Sequence, residues 1–180
     1  MELRKATAKL MEENLKEINN HVNESKLPLF MIDKIKAIGI NGLNIKGYGS
    51  PGLSTLEAGA INYELAKRDG SVCTFLLVHN AIGMSVVAAL GDDEQKSRLL
   101  PPAMKFERIM SFGLTEPLNG SDATSLKTTA TKVEGGWKLN GQKRWIGNAT
   151  VGDCIVWAKN ADDGNRIQAF YVEKGSPGFH

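Results

Sequence analysis

Two short segments hold residue types suited to ligand chemistry. The first is Phe112-Gly113-Leu114-Thr115-Glu116-Pro117-Leu118-Asn119-Gly120-Ser121-Asp122. It starts as an apolar strand, breaks at Pro117, turns through Asn119-Gly120 and presents Ser121 and Asp122. A strand running into such a turn leaves backbone N–H groups unpaired, and with a hydroxyl beside them they suit a phosphate or a polar ring edge. Gly120 allows close backbone approach, and Ser121 adds a donor for an anionic oxygen. Taken alone, this composition favours an ordinary β-turn. The second segment, Gln142-Lys143-Arg144-Trp145-Ile146-Gly147-Asn148, follows at the distance of a strand and a hairpin. Trp145 offers a large flat surface with little side-chain entropy to lose, although by itself it also suits a buried strand end. A turn for an anion and an indole for a flat ring together make a site for a flavin.

Nothing else in the sequence competes with that pair. No metal-binding cluster, Ser-His-Asp set or basic nucleic-acid patch is present. His79 lies in an apolar run without a second His or an acid spaced to orient it, so it reads as a hydrogen-bonded core residue.

The elements that must position the two segments change character along the chain. Leu3, Leu10, Leu15, Ile18 and Val22 mark the apolar side of an amphipathic helix. Pro28 and Gly39 bracket a shorter helix, and residues 39–52 read as a long loop. Ser54-Thr55-Leu56-Glu57 is a capping box that opens a helix to about Arg68. From Ser71 to Gly91 there is no Asp, Glu, Lys or Arg. That run is about as long as a membrane span, but its polar interruptions favour a bundle's central helix, buried on all sides. Asp92-Asp93-Glu94-Gln95 caps a further helix, which Pro101-Pro102 is expected to end. Beyond Arg108 the period becomes two. Thr129, Thr131 and Val133 alternate, Gly135-Gly136 supplies a hairpin turn, and Trp137 and Leu139 return. Two more strands, 154–158 and 167–172, are joined through Asp162-Asp163-Gly164-Asn165. The fold class is therefore α+β, an all-α region over 1–105 followed by an antiparallel β domain over 106–180.

Composition sets bounds only. The 42% apolar and 23% charged content is ordinary for a globular chain, and the net charge of +2 selects neither nucleic acid nor an acidic surface. Cys73 and Cys154 lie far apart in apolar segments and read as reduced core thiols.

The two ligand segments, in this order and spacing, resemble the acyl-CoA dehydrogenase and acyl-CoA oxidase family. Ile45-Lys46-Gly47-Tyr48-Gly49, Pro51-Gly52-Leu53-Ser54, and 128–148 extend the resemblance over nearly the whole chain. It is strongest toward plant short-chain acyl-CoA oxidases and glutaryl-CoA-dehydrogenase-like members. The resemblance implies FAD as cofactor and FAD-dependent oxidation of an acyl-CoA to the 2,3-enoyl-CoA. It puts Phe112, Gly113, Leu114 and Thr115 on the polar edge of the flavin ring. Gly120 and Ser121 fall at the pyrophosphate, Ser121 also at the acyl-CoA, and Trp145, Ile146 and Gly147 against the ring. Gly147 stands where dehydrogenases usually carry Thr or Ser, which matches the oxidase pattern. Cys73 stands where glutaryl-CoA dehydrogenases carry an Arg, which disfavours a dicarboxylyl substrate. The base that removes the α-proton belongs to a C-terminal helical domain absent from this chain, so no catalytic residue is assigned here. A homo-oligomer (a tetramer in full-length members) without a membrane span, mitochondrial or peroxisomal, is implied. This chain shows no targeting signal. The alternative is a non-catalytic module of the same descent that binds acyl-CoA or a partner.

Overall fold

The Lys/Glu-rich start of the chain forms α1, Glu2–Asn23, in the computed structural model, which describes residues 2–180. The chain divides into two units, one ending at Ile109 and the other spanning Met110–His180.

In the first unit, α1 turns a different line inward from the expected one. Its buried residues are Thr7, Met11, Asn14 and Ile18, while Val22 is exposed. Thr7 Oγ1 donates to the Leu3 carbonyl at 2.8 Å and Asn14 Nδ2 to that of Leu10 at 2.7 Å. Their polar atoms are satisfied within the helix, so both side chains can pack inward among apolar neighbours. Helix α2, Met31–Ile38, lies between Pro28 and Gly39 and buries Met31 and Ile35. The capping box at Ser54 and Glu57 opens α3, Thr55–Ala66. Glu64 on α3 receives Arg4 Nε at 2.7 Å and Arg68 Nη1 at 2.6 Å, and Arg68 also reaches Glu12. These charges fasten α1 to α3.

The charge-free run forms one continuous helix, Gly70–Leu90. It comprises α4 (Gly70–Leu76), a π-helical stretch (Leu77–Met84) and α5 (Ser85–Leu90). By length and composition alone it could cross a membrane. The expectation that it is buried on all sides fails. Val72, Leu76, His79, Met84 and Val87 face the core, whereas Leu77, Ile82 and Leu90 are 37%, 40% and 66% exposed. Within this chain the helix is covered along one stripe only. His79 is fully buried, with Nε2 3.1 Å from the Ala103 carbonyl and its ring stacked on Phe106 at 4.9 Å. Burial holds its pKa down at about 4, the Ala103 bond only partly opposing this, so it is a neutral core residue.

Helix α6, Asp93–Met104, starts at a capping box between Asp92 and Gln95. Pro101 and Pro102 do not end it; they lie inside its last turns. Each proline removes one N–H from the ladder, opposite Ser97 and Arg98 on the exposed side of the helix.

The second unit is a five-stranded sheet: β1 (Met110–Gly113), β2 (Thr129–Val133), β3 (Gly136–Asn140), β4 (Asp153–Asn160) and β5 (Arg166–Val172). It is mixed rather than wholly antiparallel. β2–β3 and β4–β5 are antiparallel hairpins, but β1 and β2 both run parallel to β4. Hairpin signals reveal only neighbours in sequence, and β1 meets β4 across a connection of about forty residues. β1 pairs with the first half of β4 and β2 with its end, while β5 pairs along Cys154–Asn160. β4 is thus the central strand, and the Asp153–Val156 and Ala158 positions are buried.

Two local readings also change. The hairpin loop is Glu134-Gly135, and Gly136 already pairs with Val133. On β2 the inward residue is Ala130, not Thr129, Thr131 or Val133. Ala130 packs with Ala158, Phe170 and Leu139, and Trp137 meets Phe170 edge-on at 5.2 Å. Phe170 is consequently covered.

Candidate functional site

β1 delivers the first ligand segment. Gly113 at its end lies where an added Cβ would come within 3.0 Å of Cys154 Sγ and press on it, while the Lys143 stem passes at contact distance, 3.4 Å. After it the chain leaves the ladder at Leu114 and Thr115, both half-buried. Glu116 and Asn119 then exchange backbone hydrogen bonds, N to O at 3.0 and 3.3 Å, closing a turn over Pro117 and Leu118.

The second segment returns beside the first. Arg144 N donates to the Thr115 carbonyl at 2.8 Å, and Lys143 Nζ donates to the Leu114 carbonyl at 3.1 Å. Trp145 follows with φ +61° and Asn148 with φ +65°. Bulky residues enter this left-handed region at a cost of about 1–2 kcal/mol, and such strain concentrates at functional sites. Asn148 is anchored, its Nδ2 donating to the Met110 carbonyl at 3.3 Å. Trp145 stands out with its side chain in solvent: it is 80% exposed, with the Arg144 guanidinium 4.4 Å from its ring centre. Ile146 is half-buried and Gly147 exposed.

Phe112–Thr115 and Trp145–Gly147 are therefore brought together. Gly120 and Ser121 lie past the turn, exposed, and no hydrogen bond among the described residues links them to the Trp145 segment. Beside them Asp122 accepts from Ser125 and Thr124, which holds its carboxyl below the usual range. The hydroxyls of Thr115 and Ser121 have no hydrogen-bond partner among the described residues. Phe112 meets Trp157 edge-on at 6.0 Å, and the Trp157 indole N–H is buried without a partner.

Sequence reasoning missed the group that joins these pieces. The Glu116 carboxylate accepts from Lys127 N at 2.6 Å, Thr128 N at 2.8 Å, Thr128 Oγ1 and Lys143 Nζ at 2.9 Å. Desolvation pushes its pKa up, but the bonds from Thr128, Lys127 and Lys143 outweigh this and bring it to about 2. It is an ionised, fully engaged acceptor and unsuited to moving a proton. The available signal was one acid in the first segment and one lysine in the second, near an Asn-Gly turn that returns the chain. Gly141 in that turn lets Thr128 come close, since an added Cβ would fall 2.7 Å from Thr128 Cα.

An unburied indole on the segment bonded to Thr115, whose hydroxyl is open, suits an aromatic ligand with polar edges. Residues 1–107 match the acyl-CoA dehydrogenase N-terminal domain and residues 111–180 the acyl-CoA dehydrogenase middle domain. The chain is 35% identical to an acyl-CoA dehydrogenase of Bacillus subtilis over 86% of its length and 42% of that protein. It is likewise 35% identical to the mitochondrial isobutyryl-CoA dehydrogenase of Bos taurus, covering 83% of this chain and 37% of that one. Its fold is similar to that of glutaryl-CoA dehydrogenase from Mycobacterium smegmatis, with a TM-score of 0.92 and 32% identity over 99% of this chain and 46% of that one. A Bacillus anthracis acyl-CoA dehydrogenase solved with FAD is also similar, with a TM-score of 0.84 and 29% identity over 98% and 31% of the two chains. The chain spans less than half the length of these proteins. It belongs to the acyl-CoA dehydrogenase family, over that family's N-terminal and middle domains.

Proposed function

We propose that this chain is the helical and middle part of an FAD-dependent flavoenzyme that oxidises an acyl-CoA to the 2,3-enoyl-CoA. The observation that carries this reading is the 2.8 Å bond from Arg144 N to the Thr115 carbonyl, which sets the exposed Trp145 ring beside the end of β1. The residues fit the cofactor. An 80% exposed indole in a strained backbone is a costly surface to keep free of a ligand, and the Thr115 and Ser121 hydroxyls are open. Related proteins solved with FAD or FADH2 support the same reading.

FAD, when bound, takes up the hydride leaving the substrate's β-carbon. The chain's own residues bind and orient. Phe112, Gly113, Leu114 and Thr115 hold the polar ring edge, and Trp145, Ile146 and Gly147 cover the ring. Gly120 and Ser121 hold the pyrophosphate, with Ser121 also touching the acyl-CoA. The helical part to residue 105 and the β part from 106 divide the work, the first toward substrate and the second toward cofactor. The α-proton base lies outside these residues, because Glu116, the acid nearest the site, has all its acceptor strength spent. Cys73 is buried with Sγ 3.6 Å from the Asn62 carbonyl, and burial pushes its thiol pKa up. It is neutral and cannot pair a distal carboxylate, which argues for a monocarboxylic acyl chain.

Gly147 supports an oxidase type within the family: it is exposed and brings no side chain to the space beside Trp145. Relatives named as mitochondrial in Bos taurus and Dictyostelium discoideum support an intracellular, mitochondrial or peroxisomal setting, and a homo-oligomer is part of the proposal. The test uses the full-length protein. It is expected to purify with FAD and to bleach on mixing with a saturated acyl-CoA. Gly147→Thr is expected to slow reoxidation by dioxygen more than bleaching, by rapid mixing. A colourless protein refutes the flavin reading, and equal effects on the two half-reactions leave a dehydrogenase.

A further inference from the structure

Lys143 and Glu116 form a buried pair that the ligand contacts above do not use. Their side chains are 10% and 4% exposed, and Nζ and Oε1 lie 2.9 Å apart. The pair touches three separate stretches of chain. Lys143 also donates to the Leu114 carbonyl at 3.1 Å. Glu116 also accepts the amides of Lys127 and Thr128 and the Thr128 hydroxyl. The next residue after Lys143 makes the 2.8 Å bond that joins the two ligand segments.

The amides at these points lie outside the strand ladders, which reach only the Thr128 carbonyl, the acceptor of Lys159 N at 2.9 Å. β1 ends at Gly113, β2 begins at Thr129 and β3 ends at Asn140. Irregular backbone has no repeating partners, so a side-chain acceptor with several fixed donors is what fixes its spacing. Removing the charge from either partner leaves the other buried and uncompensated. The stretch 114–115 and the stretch 144–147 would then be free to part.

We propose that Glu116 and Lys143 are positioning residues of the flavin site, setting the distance between the Leu114–Thr115 backbone and the Trp145 segment. This rests on the flavin reading above. The pair acts through Arg144 N and the Thr115 carbonyl.

Two measurements on the full-length protein separate the ideas. The first is amide hydrogen exchange at Arg144, which needs no flavin. Lys143→Met and the milder Thr128→Val are expected to speed it tenfold or more and about threefold respectively, with Lys143→Arg restoring much of the protection. The second is FAD affinity by flavin fluorescence, compared with Ala158→Gly. That control loosens the sheet core around Phe170 without removing any donor or acceptor of the Glu116–Lys143 pair. Lys143→Met and Glu116→Gln are expected to weaken FAD at least tenfold more than the control does at equal loss of melting temperature, and to shift the flavin absorption bands. If Lys143→Met does not fold, Thr128→Val carries both measurements. Unchanged Arg144 exchange, or FAD loss that merely follows melting temperature, overturns the proposal. A wild-type protein without FAD refutes the flavin reading instead, and the flavin role of the pair with it.

Discussion

Each unit holds a buried glutamate, and the two are secured in different ways. Glu64 in the helical unit is met by side chains alone, Arg4 and Arg68, of which Arg4 is half-exposed. Its pKa is lowered first by Arg4 and then by Arg68. Glu116 in the sheet unit is met by two backbone amides and a hydroxyl as well as one lysine. The difference follows from what each must hold. Helices satisfy their own backbone, so fastening α1 to α3 needs only flexible ion pairs near solvent, which contribute little each. The loops around the candidate site have no ladder and need an acceptor that binds their amides directly.

The sharpest way to break this contrast is to neutralise each carboxylate. Glu116→Gln keeps one acceptor oxygen but turns a donor toward the Lys127 amide now bound at 2.6 Å, and it strands Lys143. We expect a loss of about 4 kcal/mol in the sheet unit. Glu64→Gln should cost clearly less, because Arg4 can turn to water and Arg68 keeps Glu12. All three tryptophans, Trp137, Trp145 and Trp157, lie in the sheet unit. Urea unfolding followed by tryptophan emission should therefore move far more for Glu116→Gln. Equal shifts in midpoint would remove the distinction.

Acid should separate the units next. His79 titrates at about 4 when folded against an ordinary 6.5. As pH falls the unfolded imidazole takes its proton first, so this stability is complete above pH 6.5 and lost on the way down to about pH 4. The amount is about 3 kcal/mol. Glu116 is depressed from an ordinary 4.5 to about 2, so its contribution is present above pH 4.5 and lost only below it. Between pH 6.5 and 4.5 the helical signal in far-UV circular dichroism should weaken while tryptophan emission holds. His79→Gln, which does not titrate, should flatten the helical response. A sheet unit that unfolds first would contradict this.

What the sequence made legible follows the same divide. Ser54, Asp92 and Gly39 announce their caps in residue type alone, and the structure uses each one as a cap. The family and the α-then-β order were also readable, because the ligand segments are short and ordered. What could not be read depends on distant partners. The parallel pairing of β1 and β2 with β4 joins residues far apart in sequence. The inward turn of Thr7 and Asn14 rests on bonds that hydropathy does not register. The run without charges looked buried because composition records no partner, and one side of it is open here. In the candidate site, Ser121 and Trp145 were visible as residue types suited to a ligand, and both are exposed. Glu116 could not be read, because its four donors come from residues that follow it at a distance in the chain.

The smallest expected effect, and the finest test of the contrast, compares one glycine from each unit. In the sheet unit, a Cβ on Gly141 would sit 2.7 Å from Thr128 Cα, backbone that cannot swing aside. Gly141→Ala must push Thr128 away from Glu116 and should cost about 2 kcal/mol by overpacking. In the helical unit, Gly42 has φ +60° and its added Cβ would meet Met104 at Sδ, 2.3 Å away. That sulfur is near the tip of a flexible side chain and can move, which leaves mainly the backbone term of about 1 kcal/mol. The order of the two losses is then set by what the new methyl meets rather than by how near it comes, since the nearest atom is 2.3 Å away in both, Thr128 Oγ1 at Gly141 and Met104 Sδ at Gly42. Gly141→Ala should also speed amide exchange at Thr128 and Arg144, because the displacement passes through Glu116. Gly42→Ala should leave both amides unchanged. If Gly42→Ala proves the costlier, the helical unit is the more rigid of the two, and Glu116 does not stiffen the loops around it.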